Sequence, residues 1–418
     1  MNNIAAIIFF LALIHTFSTK YFEGLAHRYP KHEGLFHLLG EVEVVFGFWA
    51  FILIGVMAFY SGGTQAVDYL ESRQYTEPLF VFVIMVVAAS RPIIEFAKQL
   101  VIKTARLIPI HQTLAQTWVA LSIVPLLGSL ITEPAAMTLA ALILSPLIFR
   151  KEIPEWIKYA AIGVLFVNIS IGGTLTSYAA PPVLMIAANW QWDSWYMLTH
   201  FGWRTMIAVF INASFITYFL SKKIKQSDLL LAKADMNIES EHPVPLSVSL
   251  LHVMFLAGVV VFAHHPIIFF GVFLMFLGFT TAYARFQSPM ILKEGLLVGF
   301  FLAGLVVLGG LQQWWLQPIV EGLEPLALFF GTAGLTAITD NAALTYLGSL
   351  IQGMSSESKY MLVAGAVAGG GLTVIANAPN PAGATLLKRG FADDSIGAPG
   401  LLLGALPPTF IAMFFLLF

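Results

Sequence analysis

The sequence predicts an all-α polytopic membrane protein with two inverted repeats, each with five transmembrane helices, one re-entrant hairpin and one broken helix. Composition is the first reason. Of 418 residues, 58% are hydrophobic and 11% are charged, and the mean hydropathy is +0.83. Soluble proteins carry about 25% charged residues, so the composition excludes a soluble globular protein and a disordered chain. The second reason is a motif that occurs twice, and the third is the distribution of Lys and Arg.

Apolar runs long enough to cross a bilayer, about 20 residues each, occur ten times between charges, Gly and Pro. We predict crossings at 4–19, 35–60, 78–98, 158–188, 201–220, 247–263, 266–284, 293–312, 360–387 and 399–418. Two further apolar stretches, 112–149 and 325–353, are interrupted at their middle by Thr132-Glu133-Pro134 and Thr339-Asp340-Asn341. Irregular backbone at membrane depth is tolerated where protein or water surrounds it. Each of these two stretches is therefore predicted to be a re-entrant hairpin.

These elements divide the chain into two repeats and a linker. The first repeat is predicted at 1–220, with scaffold helices in 1–110, hairpin 112–149 and broken helix 158–188. A cytoplasmic linker is predicted at 221–246. The second repeat is predicted at 247–418, with hairpin 325–353 and broken helix 360–387.

The basic residues orient this arrangement. If the linker is cytoplasmic, 17 of the 21 Lys and Arg residues fall on the cytoplasmic side and three on the other, as the positive-inside rule requires. Both termini are then extracytoplasmic, in a bacterial inner membrane. The N-terminal apolar run could be a signal peptide, but it lacks a basic n-region, so we expect a retained helix. The cytoplasmic residues are Lys20, Arg28, Lys31, Lys98, Lys103, Arg106, Arg150, Lys151, Lys158, Lys222, Lys223, Lys225, Lys233, Arg285, Lys293, Lys388 and Arg389.

The repeated motif supports the two halves. Residues 131–138 read ITEPAAMT and residues 338–345 read ITDNAALT, identical at five of eight positions. Each is followed by a glycine-rich segment that ends in proline, GGTLTSYAAPP at 172–182 and GGGLTVIANAP at 369–379. Because each half has an odd number of crossings, the halves are inverted relative to each other. Inverted repeats with broken helices are the usual plan of secondary transporters.

The two breaks hold the polar groups that could bind a substrate. Gly and Pro unwind a span, which frees carbonyls for a cation and exposes helix N-termini that favour anions. Alternatively, Gly and Pro only kink a packing helix, with Thr bonded back to the backbone. The candidate ligands, whose oxygens suit a hard ion such as sodium, are Thr174, Thr176, Ser177, Thr373, Asn377 and Asn380.

The hairpin acids Glu133 and Asp340 are the strongest candidates, together with the adjacent Thr132 and Asn341. A carboxylate within a membrane is costly unless it is paired, hydrated or neutralised. Such a group can hold either a proton or a cation, and one displaces the other, which is all that antiport requires. The structural alternative is that each acid caps a helix N-terminus. The two roles are compatible.

Four other ionisable residues form a possible proton path: Glu41, Glu43, Arg91 and Glu95. The alternative is that Glu41 and Glu43 are interfacial acids, and that Arg91 and Glu95, four residues apart, form an ion pair within one helix. Pro92 between them suggests a kink.

The motifs at 339–345, 172–176 and 181–182, and the layout of nearly the whole chain, resemble the ion transporter superfamily, which includes arsenite permeases and divalent anion/sodium symporters. The sequence is most similar to a bacterial family of sodium/proton antiporters within it. The resemblance implies a scaffold domain and a transport domain, a homodimer and elevator-type alternating access. It also implies a substrate site at the hairpin tips and broken helices. The symporters carry Ser-Asn-Thr at both tips, whereas the acids here favour a cation and would repel a dicarboxylate.

We therefore expect exchange of sodium or lithium for protons, with no cofactor beyond the transported ions and no enzymatic activity. The net charge of −2 excludes a nucleic-acid partner, so the partners are the cation, the lipid bilayer and a second copy. One alternative is a permease for a small anion or oxyacid such as arsenite, or for an organic anion. A second is a membrane-embedded enzyme or an assembly subunit, although the chain lacks Walker, HExxH and GxSxG motifs.

Overall fold

The computed structural model describes residues 1–223, 243–392 and 394–418, and these residues form helices and turns with no strand, which confirms the all-α prediction. The linker predicted at 221–246 falls mostly outside the described residues. The helices before it are α1 (Asn2–Arg28), α2 (Glu33–Gly40), α3 (Val42–Ser61), α4 (Gly63–Glu71), α5 (Thr76–Ala88), α6 (Arg91–Arg106), α7 (Gln112–Leu121), α8 (Ile123–Ile131), α9 (Glu133–Leu144), α10 (Glu155–Gly172), α11 (Pro181–Trp190), α12 (Ser194–Met197) and α13 (Trp203–Lys223).

The remaining helices follow the linker. They are α14 (Leu246–Val261), α15 (Pro266–Ala282), α16 (Leu292–Gly309), α17 (Gln313–Glu321), α18 (Pro325–Thr336), α19 (Asn341–Ser349), α20 (Ser356–Gly369), α21 (Asn380–Leu387) and α22 (Ala398–Leu417). The stretch predicted as the first hairpin, 112–149, contains α7, α8 and α9, and the second, 325–353, contains α18 and α19. The two spans with glycine-rich centres each consist of two helices, α10 with α11 and α20 with α21.

Several helices are suited to a bilayer by length and composition. Among the described residues, five helical stretches can cross a membrane, or seven if each of two bent pairs is one span. Shorter apolar helices accompany them. This confirms a polytopic membrane protein, while the count of ten crossings stays a prediction.

The span predicted at 78–98 is two helices, α5 and α6, bent by 65°. Pro92 is the second residue of α6. It has no N–H to donate to the carbonyl four residues earlier, that of Ala88, and its ring opposes a continuous helix there. The bend lies where the sequence suggested a kink.

A second bend, of 41°, separates α7 from α8 at Ser122 and was not predicted. Its cause is Pro125, which cannot donate to the Leu121 carbonyl. That carbonyl instead accepts a hydrogen bond from Asn168 Nδ2 on α10, at 2.7 Å. A polar side chain in a neighbouring helix thus compensates for the hydrogen bond that proline removes.

The helices pack in two groups. The first contains α1, α3, α5 and α14–α16, and its apolar core also includes buried residues of α9, α11 and α19, where the two groups pack against each other. Its closest crossing is between α3 and α16, where a Cβ on Gly304 would collide with the backbone of Gly47. The second group contains α7–α13 and α18–α22. The scaffold predicted within 1–110 therefore packs with helices from 246–309, the corresponding part of the second half. Both interrupted hairpins and both glycine-rich breaks belong to the second group.

Candidate functional site

Glu133 lies at the start of α9, in the break between α8 and α9, and its side chain is fully buried. Oε2 accepts a hydrogen bond of 2.8 Å from Asn377 Nδ2, which comes from the second glycine-rich break. Among the described residues, Oε1 has no hydrogen-bond partner. The hairpin of the first half and the break of the second half therefore meet at this carboxylate.

The backbone before Glu133 is strained. Thr132 has φ 75° and ψ 152°, a conformation that a β-branched residue rarely adopts. Strain of this kind costs about 1–3 kcal/mol and persists where the surrounding structure enforces it, most often at functional sites. The Thr132 hydroxyl is buried and has no partner. The strain at Thr132 therefore indicates a functional role for this turn rather than a stabilising one.

Gly173 lies directly against the Glu133 side chain. A Cβ on Gly173 would collide with Oε1 and would lie 2.7 Å from Cγ and 2.9 Å from Cδ of Glu133. The second half has a related notch, because a Cβ on Gly370 would collide with Ser170 Oγ and lie 2.8 Å from Asn341 Nδ2. In each half, the second glycine of the break thus makes room for a polar side chain from a hairpin.

Asp340 differs from Glu133 in its contacts. Oδ1 accepts hydrogen bonds from the backbone N–H groups of Ala342 at 2.8 Å and Ala343 at 3.2 Å, so Asp340 is the N-cap of α19. The capping role predicted as an alternative is present here, whereas Glu133 makes no such cap. Asp340 also lines a small, mainly apolar cavity together with Glu43 and Asn377.

The first break is closed by a serine that the sequence analysis did not select. Ser129 Oγ donates to the Gly172 carbonyl at 2.7 Å and accepts from the Leu175 N–H at 2.9 Å. The Ser129 carbonyl accepts from Thr176 Oγ1 at 2.7 Å. These bonds replace the backbone hydrogen bonds that the helix loses where it unwinds. A serine in an apolar helix gives no sequence signal beyond its proximity to the hairpin tip.

The backbone groups freed at the second break are bonded mainly by residues of the second half. Asn380 Nδ2 donates to the carbonyls of Gly370 at 2.8 Å and Thr373 at 2.9 Å, and Thr373 Oγ1 donates to Ala337 O at 2.9 Å. The Asn341 N–H donates to the Ala376 carbonyl at 3.1 Å. The side-chain amide of Asn341 is buried and makes no hydrogen bond. Different residues therefore satisfy the backbone groups that the two breaks leave without helical hydrogen bonds.

The candidate ligands therefore separate by their contacts. Thr174 bonds to Ile171 O at 2.6 Å and Thr205 Oγ1 at 3.2 Å, and Ser177 bonds to Ser194 at 3.2 Å, away from the acids. The hydroxyls of Thr174, Thr176 and Thr373 serve the backbone, as the alternative reading proposed. Five buried oxygens of the candidate residues have no hydrogen-bond partner among the described residues, as do several oxygens elsewhere in the protein; the five are Thr132 Oγ1, Glu133 Oε1, Asn341 Oδ1, Asn377 Oδ1 and Asn380 Oδ1.

These five oxygens come from the two hairpin breaks and the second glycine-rich break. A buried polar atom without a hydrogen bond costs about 1–3 kcal/mol, and such atoms are few in native structures. Carboxylate, amide and hydroxyl oxygens are the ligands of hard cations. Within the described residues, no cluster of three or more His, Asp and Glu side chains could hold a metal ion. Of these side chains, Glu133 and Asn377 are in direct contact, through the 2.8 Å hydrogen bond described above.

The other candidate residues lie apart from this cluster. Arg91 Nε donates to Glu95 Oε1 at 2.7 Å, which confirms the ion pair within α6. Glu41 is paired with Lys293 at 3.3 Å near the ends of α3 and α16. Of the four residues of the possible proton path, Glu43 lines the same cavity as Asp340.

The chain was compared with known proteins and protein families over its whole length. No curated protein matches it. A family model described as "Putative Na+/H+ antiporter" matches residues 1–418, from the first helix through both breaks to the last. The chain therefore belongs to this family of Na+/H+ antiporters.

Proposed function

We propose that this protein exchanges sodium, or lithium, for protons, with Glu133 as the principal ion ligand and Asp340 as the second acid. The observation that carries the proposal is the fully buried Glu133 carboxylate, with one oxygen held by Asn377 and the other without a partner. A charge in such a place needs a cation or a proton. The two compete for the same oxygen, so loading one releases the other.

The packing of the helices supports elevator-type alternating access. Both breaks lie in one group of helices, and Asp340 faces Glu43 of the other group across a cavity. Movement of the second group against the first would carry the acids across the membrane. We further propose a homodimer in the bacterial inner membrane, with both termini extracytoplasmic and with Glu41 and Glu43 on the proton path. We assign a structural role to Arg91 and Glu95, because the two side chains form an ion pair.

An ion-flux panel on proteoliposomes tests the proposal. Purified protein is reconstituted with a pH-sensitive dye inside, and sodium, lithium, potassium or small anions are added outside across pH 6–9. Sodium or lithium should drive proton movement, and Glu133→Gln should abolish it. Absence of cation-driven proton movement in the unmodified protein would refute the proposal, and anion flux without sodium dependence would support the permease alternative.

A further inference from the structure

The short helix α17 connects the two helix groups by side-chain hydrogen bonds. At its start, Gln312 Nε2 donates to the Ala5 carbonyl of α1 at 3.3 Å. Further along, Gln317 Nε2 donates to the Gln352 carbonyl at 2.9 Å, and Gln317 Oε1 accepts from the Gln352 N–H at 3.0 Å, just after α19. α17 is therefore attached to α1 of the first group and to the second hairpin of the second group.

The two faces of α17 differ in polarity. Gln313, Gln317 and Glu321 lie four residues apart and form a polar stripe in which neighbouring side chains are hydrogen-bonded. The other face is apolar, at the spacing of one side of a helix, and consists of Trp315, Leu316, Ile319 and Val320. A helix with one polar and one apolar face is suited to the boundary between head groups and acyl chains.

A cavity of about 370 Å³ lies against the apolar face of α17. Phe9 and Leu13 of α1 form part of its wall, and α18 and α19 form another part. None of the described residues that line it is charged, and the Thr332 hydroxyl already donates to the Leu328 carbonyl at 2.7 Å. A buried water needs about two to four polar partners, so water does not suit this cavity. An empty cavity would forfeit van der Waals contacts along its whole wall.

The cavity also reaches the outer surface of the protein. Ile319, Leu335 and Ile338 line it and are about half exposed. Because these side chains lie beside and between helices of a polytopic membrane protein, the surface around them faces the acyl chains of the bilayer. The volume is within the range of small-molecule sites, about 300–1,000 Å³.

We propose that one acyl chain of a bilayer phospholipid occupies this cavity, between α1 and the second hairpin, with its head group at the level of the polar face of α17. An acyl chain needs no polar partner, and it supplies the contacts that an empty cavity lacks. The lipid lies in the gap between the two helix groups, because the wall has residues of both. The proposal requires the membrane location of the chain and is independent of the ion that is exchanged.

Photochemical labelling tests the site. The protein is reconstituted into vesicles of phosphatidylethanolamine and phosphatidylglycerol that contain phosphatidylglycerol with a diazirine in one acyl chain. After irradiation, adducts per exposed apolar residue should be at least fivefold more frequent on the cavity wall of α17–α19 than on α15. The lipid-facing residues Ile267, Leu274 and Met275 of α15 report the labelling by ordinary surrounding lipid, since they are exposed and do not line the cavity.

Two glycines of α18 provide a matched pair of variants. A Cβ on Gly331 or Gly334 would meet nothing within 4 Å, but only Gly331 lines the cavity. Gly331→Phe should fill the cavity and lower its labelling at least fivefold, whereas Gly334→Phe should leave the labelling unchanged. Thermal unfolding checks that both variants fold, and Gly331→Leu, with a smaller side chain, replaces Gly331→Phe if that variant does not.

Native mass spectrometry of the purified protein gives a second readout. One phospholipid per chain should be retained by the unmodified and Gly334→Phe proteins and lost from Gly331→Phe. Equal labelling of the cavity wall and α15, or equal effects of the two phenylalanines, would overturn the proposal and leave the cavity to surrounding lipid or to a second copy of the chain. A protein that retains the lipid but shows no cation exchange would refute the proposed function and keep this site.

Discussion

Gly173→Ala tests whether the exact place of the Glu133 carboxylate matters. Gly173 has φ −70° and ψ −8°, which alanine adopts without strain. The added methyl would, however, lie 2.7 Å from Cγ and 2.9 Å from Cδ of Glu133 and would collide with Oε1. The cost of the substitution is therefore steric, and it falls on one side chain.

The expected magnitude follows from this contact. Excess volume in a packed interior costs about 1–3 kcal/mol, which a fold with a stability of about 5–15 kcal/mol survives. To relieve the collision, Glu133 must move away from Gly173, and its 2.8 Å hydrogen bond with Asn377 lengthens or breaks. A misplacement of about 1 Å can lower a rate by about a hundredfold. We expect a folded protein whose sodium-driven proton movement falls by at least tenfold.

Proteoliposome flux and thermal unfolding, measured on the same preparations, separate the two effects. Gly271→Ala is the matched control, because Gly271 lies within α15 and its new methyl would meet nothing within 4 Å. Gly173→Ala/Glu133→Asp should recover part of the lost flux, since the shorter acid vacates the space that the methyl fills. Wild-type flux in Gly173→Ala, or an equal loss in Gly271→Ala, would refute the reasoning.

Three further predictions concern other contacts. Asp340→Asn should abolish pH-dependent exchange and change stability by less than about 1 kcal/mol, because asparagine is as good an N-cap as aspartate; unchanged flux would remove Asp340 from the mechanism. Asn377→Ala should weaken sodium binding and lower stability by about 1–3 kcal/mol by leaving Glu133 without its donor; equilibrium sodium binding and thermal unfolding check this, and wild-type affinity would contradict it. Lys158→Met should lower stability by about 1–3 kcal/mol without changing the sodium KM. Lys158 is fully buried, donates to the Gly390 carbonyl at 2.6 Å and forms an ion pair with Glu155 at 2.6 Å; a changed KM would contradict a purely structural role.

Local signals in the sequence predict where the helices are interrupted. An acid in the middle of an apolar stretch, or a glycine pair followed by prolines, is visible without any partner, because composition alone makes it unusual. The interruptions at Glu133 and Asp340, and the ends of α10 and α20 at Gly172 and Gly369, fall where these signals lie. The all-helical fold follows from the same kind of signal, since apolar runs of spanning length favour helices in a bilayer.

The contacts that complete the site are distant in sequence and therefore could not be predicted. Ser129 reaches Gly172, 43 residues away, and Asn168 reaches Leu121, 47 residues away. A serine or asparagine within an apolar helix carries no information about which carbonyl it will meet. The bend at Ser122 was not predicted either, although its cause, Pro125, is visible in the sequence. The motif repeat also suggested equivalent acids, whereas the contacts around them differ.

The different contacts of Glu133 and Asp340 predict different roles for the two acids. Asp340 uses one oxygen to cap α19 and stands at the border between the helix groups, so its surroundings change when the groups move. Glu133 lies inside one group and is held by Asn377, so its surroundings move with it. Under the proposed elevator movement, an ion bound at Glu133 would travel with the second group, whereas the surroundings of Asp340 would change.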